Sequence, residues 1–324
     1  MPDLPADATL ADLGEFALID RIVAVLRAET GDPEHVLVGP GDDAALVRTR
    51  GHVVVSTDLL VEGRHFRRDW AEAADIGARA AAQNISDVNA MGGRAHSLTV
   101  GLAVPDDLPV AWVLELARGF GEECAKVGAA VVGGDVTRSA EIVIAVTVLG
   151  ACTVQPVLRS GARPGDVLAL AGRQGWAAGG LSVLGRGFRS PRALVEAYRR
   201  PLPPYDAGPA AAEAGATAMV DISDGLLAEA GHLAVASGVA IDVRTAQIEV
   251  AEPLHAVAAA TGADAVSFVL TGGDDHALLA TFPPDVALPE GWRAIGAVAE
   301  AASDGPAVTV DGTPHDGPAG WTHF

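Results

Sequence analysis

Lysine is nearly absent from this 324-residue chain, in which Lys126 is the only lysine among 22 basic residues. Because Lys126 lies in Glu-Cys-Ala-Lys-Val-Gly, the phosphate-binding motif G-x-x-x-x-G-K-S/T is excluded. Cysteine is also scarce, and Cys124 and Cys152 form neither a C-x-x-C motif nor a zinc-binding spacing. This cysteine usage is typical of a reduced, cytoplasmic protein.

Positive charge is scarce as well, since 42 acidic residues against 22 basic ones give a net charge of −20. Nucleic-acid binding requires clustered Lys and Arg, so we expect no nucleic-acid partner and no anionic membrane partner. The N-terminus lacks the apolar segment of a signal peptide, and the longest apolar run, residues 142–154, is too short to span a membrane. With 49% hydrophobic residues the chain can still bury a core, and its length suits two domains.

Helical and strand-like patterns mix without strict alternation, which predicts a mixed α/β (α+β) fold in two halves. Apolar periodicity predicts a helix over residues 75–91 and strands over residues 97–104 and 266–270. A segment rich in proline and arginine, residues 186–209, is expected to be irregular. Proline and glycine in residues 153–166 indicate a domain junction. We therefore predict one domain over residues 1–152 and a second over residues 153–324.

Six short segments combine small or hydroxylated residues, glycine and aspartate. Any single one is explained as a turn or a helix cap, where these residue types are common. Four of the six directly follow strand-like runs, and loops at strand ends frequently carry function. The segments are Gly41-Asp42-Asp43, Ser56-Thr57-Asp58, Asn84-Ile85-Ser86-Asp87, Gly133-Gly134-Asp135, Asp221-Ile222-Ser223-Asp224-Gly225 and Gly272-Gly273-Asp274-Asp275.

Carboxylates and hydroxyls are hard oxygen ligands that suit Mg²⁺, Mn²⁺ or Ca²⁺. The chain has no EF-hand loop, and magnesium is usually held by a few carboxylates together with substrate phosphates. Clustered aspartates without a lysine loop therefore favour a nucleotide bound through metal ions. Gly133 and Gly134 would let backbone N–H groups approach phosphate, and Arg159 and Arg163 could each offer a guanidinium.

The motifs taken together resemble the thiamine-monophosphate kinases, in the superfamily that includes aminoimidazole ribonucleotide synthetase and selenophosphate synthetase. The resemblance covers nearly the whole chain, and its most specific parts are residues 56–66 and the His-Phe ending. The matching motifs are Gly41-Asp42-Asp43-Ala44-Ala45, Ser56-Thr57-Asp58-x-x-Val61-x-Gly63-x-His65-Phe66, Asn84-x-Ser86-Asp87, Gly133-Gly134-Asp135-x-Thr137-Arg138, Arg159-Ser160-Gly161, Asp221-Ile222-Ser223-Asp224-Gly225-Leu226 and Gly320-Trp321-Thr322-His323-Phe324.

The resemblance implies ATP-dependent phosphorylation of thiamine monophosphate to thiamine diphosphate, assisted by several Mg²⁺ ions. It also implies a two-domain aminoimidazole ribonucleotide synthetase-like fold, whose N-terminal sheet domain dimerises and whose C-terminal α/β domain completes the active site. Implied metal ligands are Asp43, Ser56, Thr57, Asp58, Asp87, Asp135, Asp221 and Asp224, with Asp58 and Asp135 central to catalysis. Implied ATP contacts are Gly134, Arg159 and Ser223, and implied substrate contacts are His65, Asp274 and Trp321.

Chemistry agrees with these implications, because the acceptor is a phosphate monoester whose second pKa is about 6. Its attacking oxygen is largely anionic near neutral pH, so we expect direct in-line transfer and no covalent nucleophile. One departure concerns Gly272-Gly273-Asp274-Asp275-His276-Ala277, where the family usually has Gly-Gly-Glu-Asp-Tyr-Glu. Asp274 is one methylene shorter than the usual Glu. For His65 a structural hydrogen bond, and for Trp321 simple packing, remain alternatives.

Two other classes of protein remain open at this stage. One is another ATP-using enzyme of the superfamily with a different acceptor. The selenophosphate synthetases need a reactive Cys or selenocysteine near the N-terminus, and the hydrogenase-maturation dehydratases need a C-terminal cysteine; neither is present. The other class is a nucleotide- or metal-binding protein without catalysis. The many aspartates disfavour it, because a simple binder needs fewer ligands.

Overall fold

The computed structural model describes residues 8–13, 15–40, 44–303 and 305–322. Contacts between these residues divide the chain into two compact units. The first unit contains the residues up to Val88 together with Arg94–Ala151. The second contains Asn89–Gly93 and the residues from Cys152 onward.

The first unit combines helices with a four-stranded sheet. Its helices are α1 (Leu10–Leu13), α2 (Glu15–Thr30), α3 (Ala73–Ala90) and α4 (Val110–Ala125). Its strands are β1 (Val36–Val38), β2 (Leu46–Val47), β3 (His52–Val61), β4 (Arg94–Val104), β5 (Ala130–Arg138) and β6 (Val143–Cys152). Strands β1 and β2 form a separate antiparallel pair.

The main sheet of the first unit has the order β3-β6-β4-β5. Strand β4 pairs antiparallel with β6 and parallel with β5. Side chains alternate between the two faces of a strand, and on β6 Ile144, Val146 and Val148 are fully buried. The outer face of the edge strand β3 is different, because Val53, Val55 and Leu59 are 49%, 60% and 57% exposed.

Helices α3 and α4 approach each other closely at two glycines. A Cβ on Gly77 would lie 2.1 Å from the carbonyl oxygen of Leu116, and one on Gly119 would lie 1.9 Å from that of Ala74. Only glycine allows this contact between the two backbones. The contact fixes α3, the helix that carries Asp87.

The second unit contains a seven-stranded sheet of order β13-β12-β9-β11-β7-β10-β8. Its strands are β7 (Val167–Ala171), β8 (Ala218–Asp221), β9 (Val239–Val243), β10 (Leu278–Phe282), β11 (Trp292–Glu300), β12 (Ala307–Val310) and β13 (Thr313–Pro314). Its helices are α5 (Trp176–Gly185), α6 (Arg192–Arg199), α7 (Ala207–Ala214), α8 (Leu226–Ser237), α9 (Glu252–Thr261) and α10 (Ala265–Thr271).

Strands β8 and β10 lie in the core of this unit, and every residue in them is buried. Such strands read as continuous apolar runs because both faces of the sheet are covered. Met219, Leu278 and Phe282 belong to one hydrophobic cluster, in which the Phe282 ring packs edge-on against Trp292 with centroids 5.3 Å apart. The loop after β8 and the loop before β10 are therefore anchored on rigid, neighbouring strands.

Two expectations about secondary structure are wrong. Residues 266–270 form helix α10 and not a strand, because Asp264 caps the segment by accepting a hydrogen bond from the Val266 N–H at 3.1 Å. Within residues 186–209, which were expected to be irregular, α6 forms and α7 begins. Among the described residues, no single helix has the length and composition to cross a membrane, although the bent pair α9 and α10 passes that test jointly.

Candidate active site

The predicted site residues of the first unit lie on three elements and one turn. Ser56, Thr57 and Asp58 are on β3, Asp87 is on α3, and Gly134 and Asp135 are on β5. His65 lies in the turn after β3, and Asp43 is outside the described residues.

Ser56 and Asp87 are brought into direct contact across the interior of the first unit. The Ser56 hydroxyl donates a hydrogen bond of 2.6 Å to Oδ2 of Asp87. Ser56 therefore points toward α3, and because successive side chains of a strand face opposite sides, Thr57 points to the other face. The structure thus places two oxygen ligands of the predicted metal set side by side.

Asp58 and Asp135, in contrast, lie on opposite edges of the sheet. Strands β3 and β5 are separated by β6 and β4, so their axes are about 14 Å apart. The two aspartates nevertheless lie at similar heights along their strands. Thr57, which precedes Asp58, is next to Val146 of β6, because Thr57 Oγ1 donates a hydrogen bond to the Val146 carbonyl at 2.8 Å. Val146 is paired with Val100, and Val100 with Gly134. Within the first unit, these two aspartates do not form one carboxylate pair.

In the described part of the chain, no three His, Cys, Asp or Glu side chains are grouped closely enough to hold a metal ion. Magnesium in proteins is usually held by one or two carboxylates plus substrate phosphates. The donors at the predicted positions are carboxylate and hydroxyl oxygens, which are the ligands that Mg²⁺ prefers. The residues present therefore fit magnesium bound together with a phosphate ligand.

His65 has a defined orientation. Its Nδ1 accepts a hydrogen bond of 3.0 Å from the Val61 N–H, so the proton of the neutral ring is on Nε2. The turn is closed by a hydrogen bond of 2.8 Å from the Gly63 N–H to the Phe66 carbonyl, with Gly63 at φ 80°. The backbone thus sets which ring nitrogen can donate.

In the second unit, three segments distant in sequence meet through backbone hydrogen bonds. The Asp274 N–H donates to the Ser223 carbonyl at 2.9 Å, and the Trp321 N–H donates to the Asp224 carbonyl at 3.0 Å. Gly273 allows this approach, since a Cβ there would lie 2.0 Å from the Ser223 carbonyl oxygen. The structure thereby brings together Ser223, Asp224, Asp274 and Trp321, and the Trp321 ring is 64% exposed.

Asp221 forms a buried pair with His276. The Asp221 Oδ2 and the His276 Nδ1 are 3.1 Å apart, and both side chains are almost inaccessible to solvent. His276 and Asp274 adopt positive φ values of 52° and 65°, which non-glycine residues rarely do. Sequence reasoning assigned His276 no role in the site. In the sequence, the position of His276 two residues after Asp274 was the only indication that His276 belongs near the site.

Glu229 is a second residue that sequence reasoning missed. It is 2% exposed and accepts a hydrogen bond of 3.3 Å from the Ser223 hydroxyl. Burial, reinforced by the nearby Asp221 carboxylate, raises the pKa of Glu229 to about 7, while Arg159 opposes the shift. One indication of this role was present in the sequence: Glu229 is an acidic residue in the first turn of the helix that directly follows the Asp-Ile-Ser-Asp-Gly segment.

Asp275 is a buried residue that holds the loop carrying Asp274. Its Oδ1 accepts a hydrogen bond of 3.0 Å from the Ala177 N–H at the start of α5. Burial raises the pKa of Asp275 to about 7, while the hydrogen bond from Ala177 and the Arg173 charge act in the opposite direction. Asp275 thus anchors the loop that carries Asp274 to a helix terminus.

Two family models cover most of the chain. The AIR synthase related protein N-terminal domain matches residues 41–152, and the C-terminal domain of the same family matches residues 163–287. The chain is therefore an AIR synthase related protein, and the predicted two-domain α/β fold of that class is confirmed.

The relatives narrow the class further. A thiamine-monophosphate kinase of Mycobacterium tuberculosis is 47% identical over 98% of this chain and 93% of its own length. The structure of such a kinase from Stenotrophomonas maltophilia has a TM-score of 0.81 at 34% identity, covering 94% of this chain and 98% of that one. AaThiL complexed with AMPPCP and TMP has a TM-score of 0.79 at 33% identity, covering 98% and 99%. The chain belongs to the thiamine-monophosphate kinase family.

Proposed function

We propose that this protein transfers the terminal phosphate of ATP to thiamine monophosphate, giving thiamine diphosphate, with magnesium assisting the transfer. The observation that carries the reaction is the 47% identity over 98% of the chain to a thiamine-monophosphate kinase. A structural relative over almost the full length binds AMPPCP and TMP. Ser223, Asp224, Asp274 and Trp321 meet in the second unit, where they would offer such ligands polar and aromatic contacts.

Magnesium would be held by carboxylate and hydroxyl oxygens of the predicted metal-ligand set. When bound, it would screen the negative charges of the two phosphate substrates from each other. The residues that would hold it are Asp43, Ser56, Thr57, Asp58, Asp87, Asp135, Asp221 and Asp224. The contact between Ser56 and Asp87 and the oxygen-only donor set support this assignment.

The ATP contacts proposed are Gly134, Arg159 and Ser223. A Cβ on Gly134 would lie 2.1 Å from the Val100 carbonyl oxygen, so this position of β5 accepts only glycine and exposes its backbone. Arg159 and Ser223 both have exposed side chains, which can reach a phosphate group. A guanidinium and a hydroxyl are suitable donors to phosphate oxygens.

Thiamine monophosphate would contact His65, Asp274 and Trp321. The exposed Trp321 ring offers a face to the cationic thiazolium ring, an arrangement that is favourable by cation–π attraction. The His65 Nε2–H is oriented to donate a hydrogen bond. No protein nucleophile is needed, because the acceptor phosphate is largely anionic near neutral pH.

Formation of thiamine diphosphate from ATP, Mg²⁺ and thiamine monophosphate is the direct test. We expect product from the monophosphate, no product from free thiamine, and loss of product with EDTA that excess Mg²⁺ restores. Chromatographic separation of the thiamine phosphates measures each outcome. ATP hydrolysis without thiamine diphosphate would contradict the assigned acceptor, and EDTA-resistant turnover would contradict the role of magnesium.

We further propose a homodimer formed through the outer face of the first unit's sheet, which exposes Val53, Val55 and Leu59. Adjacent exposed apolar side chains on one face are typical of an interaction surface. A charge at the centre of this face should prevent burial, so Val55→Asp is expected to give monomers in analytical ultracentrifugation. The matched control is Val235→Asp on α8, where the valine is 71% exposed, and it should leave the dimer intact. A wild-type monomer would contradict the proposal.

A cytoplasmic location is also proposed. Cys124 and Cys152 are both buried and unpaired by any disulfide, which is typical of proteins in reducing compartments.

A further inference from the structure

Glu229 lies beneath the loop that carries Asp221, Ser223 and Asp224. It is the fourth residue of α8, and helical side chains point back toward the helix N-terminus. Its carboxylate therefore reaches the loop, where Oε1 accepts a hydrogen bond of 3.3 Å from the Ser223 hydroxyl. Within the described residues, Oε2 has no hydrogen-bond partner.

The charge of Glu229 strengthens this hydrogen bond. A carboxylate oxygen is a stronger acceptor than a neutral amide oxygen, although its burial carries a desolvation penalty. The Asp221 and Asp224 carboxylates nearby increase that cost, whereas the positive charge of Arg159 reduces it.

We propose that Glu229 is a positioning residue of the nucleotide site. It holds the Ser223 hydroxyl, so that this donor is oriented toward the phosphates of the nucleotide. Ser223 is the exposed partner, and Glu229 is the buried group that accepts its hydrogen bond. This inference rests on the proposed function, which assigns Ser223 to ATP.

The test compares Glu229→Gln with wild type in binding of Mg-ADP, measured by calorimetry. Residues that orient ligand-binding groups typically contribute about 10- to 100-fold, and we expect a loss of affinity in that range. The Michaelis constant for ATP should rise, while that for thiamine monophosphate stays unchanged. The matched control is Glu123→Gln, which neutralises a glutamate that is 1% exposed in the first unit and pairs with Lys126 at 2.6 Å.

A purely structural role gives a different result. Glu229→Gln would then lower the melting temperature, as Glu123→Gln does, and leave Mg-ADP affinity at the wild-type value. That outcome would overturn the proposal. If Glu229→Gln does not fold, Ser223→Ala replaces it, because Ser223 is exposed and its loss should weaken Mg-ADP binding by a comparable factor. Unchanged affinity in Ser223→Ala would likewise overturn the proposal.

A double-mutant cycle tests the link to Ser223. If Glu229 acts by orienting Ser223, the combined Glu229→Gln, Ser223→Ala variant should lose less affinity than the product of the two single losses. Multiplicative losses would contradict the link. Mg-ADP binding requires no thiamine monophosphate, so failure of the proposed reaction, with no thiamine diphosphate from wild type, is separable from failure of this inference.

Discussion

Replacing Asp58 by asparagine is expected to lower turnover about a thousand-fold and to leave the fold intact. Metal-assisted charge stabilisation contributes several kcal/mol to a phosphoryl-transfer transition state, and about 4 kcal/mol corresponds to that factor. Asp58 lies on the edge strand β3 next to Thr57, whose hydroxyl is bound to β6. Asparagine has nearly the same shape as aspartate, so the substitution removes the negative charge without creating a cavity. Initial rates of thiamine diphosphate formation at saturating ATP measure the effect, and Asp135→Asn should behave alike.

The control for Asp58→Asn is Asp106→Asn, which removes an exposed carboxylate of the same unit. Asp106 lies 3.1 Å from Arg138 in a surface ion pair, and such pairs contribute little to stability. We expect normal turnover in this variant. Circular dichroism and thermal melting should show both variants folded. A folded Asp58→Asn enzyme with the wild-type rate would contradict the assignment of Asp58 as a metal ligand.

Gly273→Ala is expected to reduce kcat/KM about 100-fold, because displacing reactive groups by about 1 Å can have an effect of that size. The new Cβ would overlap the Ser223 carbonyl oxygen, from which it would be 2.0 Å away. The segments carrying Ser223 and Asp274 must then separate, and the hydrogen bond of 2.9 Å between their backbones is weakened. A loss of about 1–3 kcal/mol in the free energy of unfolding should accompany the change.

Gly231→Ala is the matched control for Gly273→Ala. Gly231 lies in helix α8 of the same unit, and apart from its chain neighbours and the adjacent backbone of α8, no atom of the described residues is within 4 Å of the position of its Cβ. Alanine is favoured over glycine in helices, so we expect unchanged activity and a gain of about 0.5–1 kcal/mol in stability. Denaturant titration and kinetics on both variants measure these effects. Equal activities in the two variants would mean that the close approach at Gly273 does not position the site.

Long periodic segments were predictable from the sequence, and short apolar runs were not. The helix predicted over residues 75–91 is observed as α3, and the strand over 97–104 lies within β4. The run 266–270 fits either structure by its composition, and the Asp264 cap together with the surrounding packing made it helical. The segment 153–166 follows β6 and precedes β7, where a junction was predicted.

The sequence by itself determined the family and indicated the chemistry of the site. With one lysine and many aspartates, it favours phosphate binding through oxygen-held cations, arginine, hydroxyl and backbone N–H groups, and these residue types stand in short, local motifs. Only the tertiary structure decided which of these groups meet. It joins Ser56 to Asp87 and Asp221 to His276, leaves Asp58 and Asp135 on opposite edges of a sheet, and buries Glu229 beneath Ser223. Such contacts depend on strand order and on close backbone approach at glycines, which no local pattern encodes.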